Sequence, residues 1–213
     1  MTNLSSDIAF TPSVKAIQVR KGSREAYRRM EKKGGWQRKI TDDLAAFIAD
    51  QRSFFLATVS SEGMPYIQHR GGPRGFLKVI GPSALAFVDF KGNRQFITQG
   101  NLADNPKAHI FLIDYTNRQR IKIWGEARVV EDDVQLLEQF MPRDYNADAE
   151  QVIVFDVFAW DANCPQHIPI RFDAEYIERA LAQRDARSQN SKLSLATFVH
   201  EARLLWGLVG YCL

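Results

Sequence analysis

Between Ser53 and Trp160 the chain alternates short strand-like runs with turns, and this rhythm limits the fold more than any other feature. The run Ser53–Ser60 is rich in aromatic and β-branched residues and ends in the turn Ser61–Gly63. Met64–Arg70 reads as the returning strand, and Gly71–Pro73 as an open loop. Further strands are predicted at Phe76–Ile80, Leu85–Asp89, Ala108–Asp114, Arg120–Trp124 with a continuation Gly125–Val130 after a kink, and Gln151–Trp160. Short helices fall at Gln95–Leu102 and Asp132–Phe140. About seven short strands spaced by turns predict a mainly β protein, an antiparallel barrel with peripheral helices. The strands do not alternate with long helices, which argues against a doubly wound parallel sheet.

The flanks read differently. Met1–Ser13 is expected to be a loose tail, and Val14–Lys33 a basic helix with Ser23 as a cap and Ala26, Tyr27 and Met30 on one side. Gly34 and Gly35 break it, and Thr41 caps a short helix to Asp50 whose apolar face is Leu44, Phe47 and Ile48. Beyond the barrel, Asp173–Arg187 reads as a helix capped by Asp173, followed by a linker at Ser188–Ser191. The expected organisation is a basic arm over 1–39, a barrel over 40–160 and a helical extension over 161–213.

Hydrophobic residues make up 45% of the chain, enough for a core. The net charge of +3 is too mild to argue for a nucleic-acid partner. Basic residues do concentrate between Lys15 and Lys39, which reads first as a solvated helix face and second as a contact for acidic lipid, nucleic acid or another partner. Cys164 and Cys212 form no C-x-x-C pair, so no zinc or dithiol site is expected. The N-terminus lacks the features of a signal peptide. His200, Glu201 and Arg203 interrupt the apolar end Leu193–Leu213, so the expectation is a cytoplasmic protein without a membrane span.

One stretch points to chemistry. Phe87–Phe96 runs from a strand ending in Asp89 through Gly92, Asn93 and Arg94 into a helix-like segment closed by Asn105 and Pro106. An amide, a guanidinium and backbone N–H groups at one loop suit a phosphate, which arginine grips with two parallel hydrogen bonds. Arg70, Arg74 and Lys78 on the preceding segment add positive charge. Lys78 alternates with Leu77 and Val79, so by itself it fits a solvated outer face equally well. His69 and His109 read as structural, with His69 the better placed to line a pocket. Trp124 and Trp160 read as core aromatics, and Cys164 with His167 as part of a loop rather than a thiol catalyst.

In order and spacing, Phe54–Tyr66, Arg74–Lys78, Phe87–Arg94, Asp104–Pro106 and Ile123–Ala127 resemble the pyridoxamine 5′-phosphate oxidase-like flavin-binding split barrels over roughly Ile40 to Trp160. The resemblance implies a six-stranded split barrel, a homodimer, and FMN held between subunits. It implies that Lys78, Asn93 and Arg94 hold the FMN phosphate, with Gln95 standing where the oxidase has a second lysine and Arg70 or Arg74 supplying the missing charge. Asp89 then approaches the isoalloxazine ring, Asn101 lies on the helix after the phosphate turn, and Arg120 sits near the flavin. No catalytic residue and no metal site follow. The oxidase's closing Arg-Leu-His segment is missing, and Asn163–Ile168 stands instead, which disfavours pyridoxamine phosphate as substrate. The expected function is an FMN-dependent oxidoreductase acting on a small substrate, with NADH or NADPH as a candidate electron source. The alternatives are a flavin carrier or sensor, or a split barrel that uses a deazaflavin or haem.

Overall fold

The structure is a computed structural model that describes residues 4–163 and 165–187. Seven strands form one antiparallel sheet: β1 Ser53–Val59, β2 Pro65–Gly71, β3 Lys78–Gly81, β4 Ala84–Phe90, β5 Lys107–Asp114, β6 Gln119–Val130 and β7 Ala149–Asn163. Their spatial order is β2-β1-β5-β6-β7-β4-β3. The strand count is therefore seven rather than the six implied by resemblance. The shortest strand, β3, pairs with β4 alone.

Strict alternation in the sequence becomes strict alternation in burial. Phe54, Leu56 and Thr58 of β1 point inward, as do Ala108, Ile110 and Leu112 of β5 and Ile121, Ile123 and Ala127 of β6. Three strands separate β1 from β4 in the sheet, yet Phe54 packs edge-on against Phe87 with ring centroids 5.0 Å apart. The sheet must therefore curl on itself around one core. Its edges, β2 and β3, share no ladder, so the barrel is split. The β4–β7 pair is buried on both faces. Phe87, Ile153 and Phe155 face the barrel core, while Ala86, Val88, Val152 and Val154 pack under Phe140 of helix α5, Val134–Phe140.

Helix α3, Asp42–Asp50, begins as expected. The Thr41 hydroxyl accepts from the Leu44 amide at 3.3 Å, and Leu44 and Ile48 are buried. Helix α4, Ile97–Asp104, lies against β1, where Asn101 Nδ2 donates to Thr58 Oγ1 at 2.9 Å. The expected single helix over Val14–Lys33 is two, α1 Pro12–Arg20 and α2 Arg24–Lys32. Gly22, at φ 78°, separates them. Ser23 stands at the cap position of α2 but makes no side-chain cap bond. The expected loose tail is instead a 3₁₀ turn at Ser5–Ile8 with Ser5 and Ser6 buried. The Ser5 hydroxyl donates to the Trp36 carbonyl at 2.6 Å, a long-range tie that the polar sequence of the tail does not announce.

The described residues divide into two compact units, one through Ile168 and one from Pro169. In the second, a helix over 174–187 starts where Asp173 Oδ1 accepts the Tyr176 amide at 2.7 Å. Cys164, Cys212, the linker at 188–191 and the apolar segment to Leu213 lie outside the described residues. Among the described residues no helix is long and apolar enough to cross a membrane, and no cluster of three metal-binding side chains occurs.

On the outer face of β5 and β6, the His109 ring meets the edge of Trp124 at 5.0 Å. Burial, helped by the charge of Lys122, pushes the His109 pKa down to about 4. The native state thus holds a neutral imidazole while the unfolded chain takes up a proton below its ordinary value of 6.5. Stability from this site is complete above that value and is lost as pH falls through the window from 6.5 to about 4. The loss approaches about 3 kcal/mol, one proton over the window. Urea titrations at stepped pH should show this slope, and His109→Phe should remove it. An equal slope in the variant would place the pH dependence elsewhere.

Candidate functional site

The end of β4 and the loop after it form one wall of a polar pocket. Across it stand alternate residues of β2, namely Tyr66, Gln68 and Arg70. Glu150 and Gln151 of β7 and Thr98 of α4 close the sides. Five of the residues singled out in the sequence line this pocket: Arg70, Asp89, Asn93, Arg94 and Gln95.

The loop is held in a costly shape. Arg94 and Phe96 both have left-handed backbones, at φ 57° and 55°, where side chains other than glycine are disfavoured. Local contacts support them. The Gln95 amide donates to Asn93 Oδ1 at 3.3 Å, and the Arg94 guanidinium lies 5.3 Å from the centre of the Phe96 ring. Such backbone outliers concentrate where a loop must present groups to a ligand.

Two ion pairs set the charge. Arg70 Nη1 donates to Asp89 Oδ1, and Gln151 Nε2 donates to Asp89 Oδ2 at 3.0 Å. Both partners of the Arg70–Asp89 pair are nearly buried, with side chains 12% and 11% exposed. Arg94 Nε donates to Glu150 Oε1 at 3.1 Å, but the Arg94 side chain is 57% exposed. An exposed pair of this kind contributes about 0–1 kcal/mol, so Arg94 can exchange Glu150 for a stronger anion at little cost. The buried Arg70–Asp89 pair is far harder to break. One donor in the pocket is unspent, because the buried Arg70 Nε has no hydrogen-bond partner. Gln68 Oε1 accepts from Thr98 Oγ1 at 2.9 Å, which orients the amide on the β2 wall.

Four other residues singled out in the sequence lie outside this pocket. Arg74 Nη1 donates to the Asp50 carbonyl and carboxylate beside α3. Lys78 opens β3 opposite Ala86. Asn101 is spent on Thr58 inside the barrel. Arg120 lies on β6 opposite Ile113 of β5, its Nε buried without a partner. His69 is exposed and packs on Phe55 at 5.6 Å rather than lining the pocket. The sequence reading missed Tyr66, Gln68, Thr98, Glu150 and Gln151. The first two were recoverable, since they precede Arg70 by four and two residues and share its face of the strand. The last two required the pairing of β4 with β7, in which Gln151 opposes Asp89.

Comparison with known proteins adds the family. HupZ of Group A Streptococcus is 16% identical over 62% of this chain and 99% of its own, with a TM-score of 0.48. An FMN-binding protein of Syntrophomonas wolfei subsp. wolfei is 14% identical over 69% of this chain and 97% of its own, with a TM-score of 0.47. No curated protein matches the chain in sequence. Residues 40–164, more than half of the chain and spanning all seven strands, match the family model described as pyridoxamine 5′-phosphate oxidase. The curled antiparallel sheet, its split edges and this match agree, and the chain belongs to the pyridoxamine 5′-phosphate oxidase family.

Proposed function

We propose that the protein binds FMN in the pocket between β2 and the β4–α4 loop and works as an oxidoreductase on a small substrate. The observation that carries this is the convergence of a strained, arginine-bearing loop with a buried arginine whose Nε–H is unspent. The residues fit the cofactor. Arg94, Asn93 and the Gly92 amide offer charge-assisted and neutral donors to its phosphate. Arg70 offers its Nε–H to a ring acceptor, with Asp89 and Gln151 holding the guanidinium in place. When bound, a flavin supplies hydride or single-electron chemistry. The side chains bind and orient. None is asked to serve as an acid or a base.

The family's shared site extends the proposal to a homodimer. Lys78 and Arg120 stand outside the pocket of their own chain, and Arg120 holds a buried, unpaired Nε. A second subunit gives both a role at the neighbour's cofactor. NADH or NADPH is the proposed electron source, and the unidentified substrate is expected to differ from pyridoxamine phosphate.

The purified protein should retain yellow flavin absorbance after FMN is added and the sample desalted. Arg94→Ala should weaken FMN binding by about 1.5–3 kcal/mol, the scale of a hydrogen bond to a charged group. A colourless protein after desalting overturns the flavin reading. An unchanged affinity in the variant removes Arg94 from the site.

A further inference from the structure

A second cavity lies on the outer face of β6 and β7, under the N-terminal arm and away from the residues of the polar pocket. Its volume is about 700 Å³, within the range of small-molecule sites. Phe10, Tyr27, Trp36, Trp124 and Trp160 supply aromatic walls, and Lys122 supplies a cation.

These walls are fixed before any ligand arrives. Trp36 and Trp124 stack face to face, 4.6 Å apart at 9°. Phe10 braces Trp36 and Tyr27, each at 5.1 Å. Trp160 Nε1 donates to the Lys39 carbonyl at 2.8 Å, and its backbone bonds the Gln37 carbonyl at 2.9 Å. These bonds and the Gln37–Trp160 bridge tie the end of the arm to β7, while inside the arm Arg24 and Glu31 brace helix α2 with a pair at 2.5 Å. Rigid aromatic rings lose little freedom on binding, which favours a flat ligand over a flexible chain.

Charge narrows the ligand further. Lys122 makes no ion pair among the described residues, whereas Asp161, its neighbour across β6 and β7, is engaged in an interaction of its own. His109 stands behind Trp124 as a neutral ring and adds no second cation. From this juxtaposition of stacked tryptophans and one lysine we infer a binding site for a planar aromatic ligand that carries a negative group. The aromatic surfaces left free by the Trp36–Trp124 stack pack against its ring, and Lys122 takes its charge.

The test uses the full chain with two probes, anilinonaphthalene sulfonate and its uncharged parent phenylnaphthylamine. The sulfonate should bind once per chain and quench tryptophan emission by energy transfer. Lys122→Gln should weaken the sulfonate about tenfold, as expected for losing a contact to a charged group, and leave the uncharged probe unchanged. Ala26→Phe, on the exposed face of α2 that lines the cavity, should weaken both probes at least tenfold while flavin binding persists. Saturating FMN should displace neither probe. Absence of sulfonate binding, or equal binding in both variants, overturns the proposal. One-for-one displacement by FMN also overturns it, by making this cavity the flavin's own and relocating the site proposed above. Probe binding without FMN binding would refute the flavin reading and leave this one standing.

Discussion

Replacing Gly125 by alanine is expected to unfold the barrel at denaturant concentrations the parent protein survives, although the change adds a single methyl. A Cβ at Gly125 would meet the Asp156 carbonyl oxygen at 1.9 Å and a Phe155 ring carbon at 2.6 Å. The first obstacle is backbone of the neighbouring strand and has no rotamer by which to leave. The clash arises from a bulge. Trp124 opposes Ala159 and Gly125 opposes Val157, so β7 spends one extra residue, Phe158, which is 41% exposed. That bulge draws β7 across Gly125 at the centre of the sheet. Relief requires β6 and β7 to part where both are buried, at a cost of at least about 3 kcal/mol, the upper end for an overpacked core. Gly63 is the control. It has φ 86° with nothing within 4 Å of its would-be Cβ. Gly63→Ala should cost only the backbone strain, about 1–2 kcal/mol. Chemical denaturation of the two variants side by side decides the matter. A Gly125→Ala protein within 1 kcal/mol of the parent would show that the strands separate freely there.

The same kink was legible in the sequence, because polar and apolar residues alternate up to Trp124 and resume after a glycine. Period-two alternation also located β1, β5 and β6 with the correct inward faces, since a half-buried strand can satisfy water and core in no other way. What alternation does not carry is pairing between distant segments. Asp89 was visible as the end of a strand, but Gln151, its hydrogen-bonded neighbour, lies 62 residues away and has no local mark. Lys78 and Arg120 stand out in the sequence by charge and by resemblance, and charge alone does not say on which side of a curled sheet a residue emerges. The basic run between Lys15 and Lys39 reads as a solvated face. That holds for Arg28 and Arg29, which are exposed, but Arg24 is withdrawn into a pair with Glu31 and a bond to Gln18 at 2.9 Å. The tail Met1–Ser13 reads as loose in the sequence. Ser5 is buried with its hydroxyl bonded to the remote Trp36 carbonyl, a contact that hydropathy cannot anticipate, and Ser6 is buried beside it with its hydroxyl unpaired.

Removing Arg70 is expected to have an effect of similar size by a different route. The guanidinium reaches from β2 to Asp89 on β4, joining strands that lie five positions apart in the sheet order and share no ladder. It also lies 6.0 Å from the centre of the Phe87 ring, above the core. Arg70→Met keeps the length and apolar contact of the side chain but leaves the Asp89 carboxylate buried with the Gln151 amide as its remaining hydrogen-bond donor. Stranding a buried charge in this way costs about 3–5 kcal/mol. Asp89→Asn strands the guanidinium instead, while Arg70→Met combined with Asp89→Asn strands neither. The double variant should therefore be more stable than the sum of the single losses implies, by about 2–3 kcal/mol of coupling. Urea unfolding of the four proteins at neutral pH measures that term directly. Simple additivity would mean that the two side chains act independently, and that the core alone, through contacts such as Phe54 on Phe87, holds the split edges together.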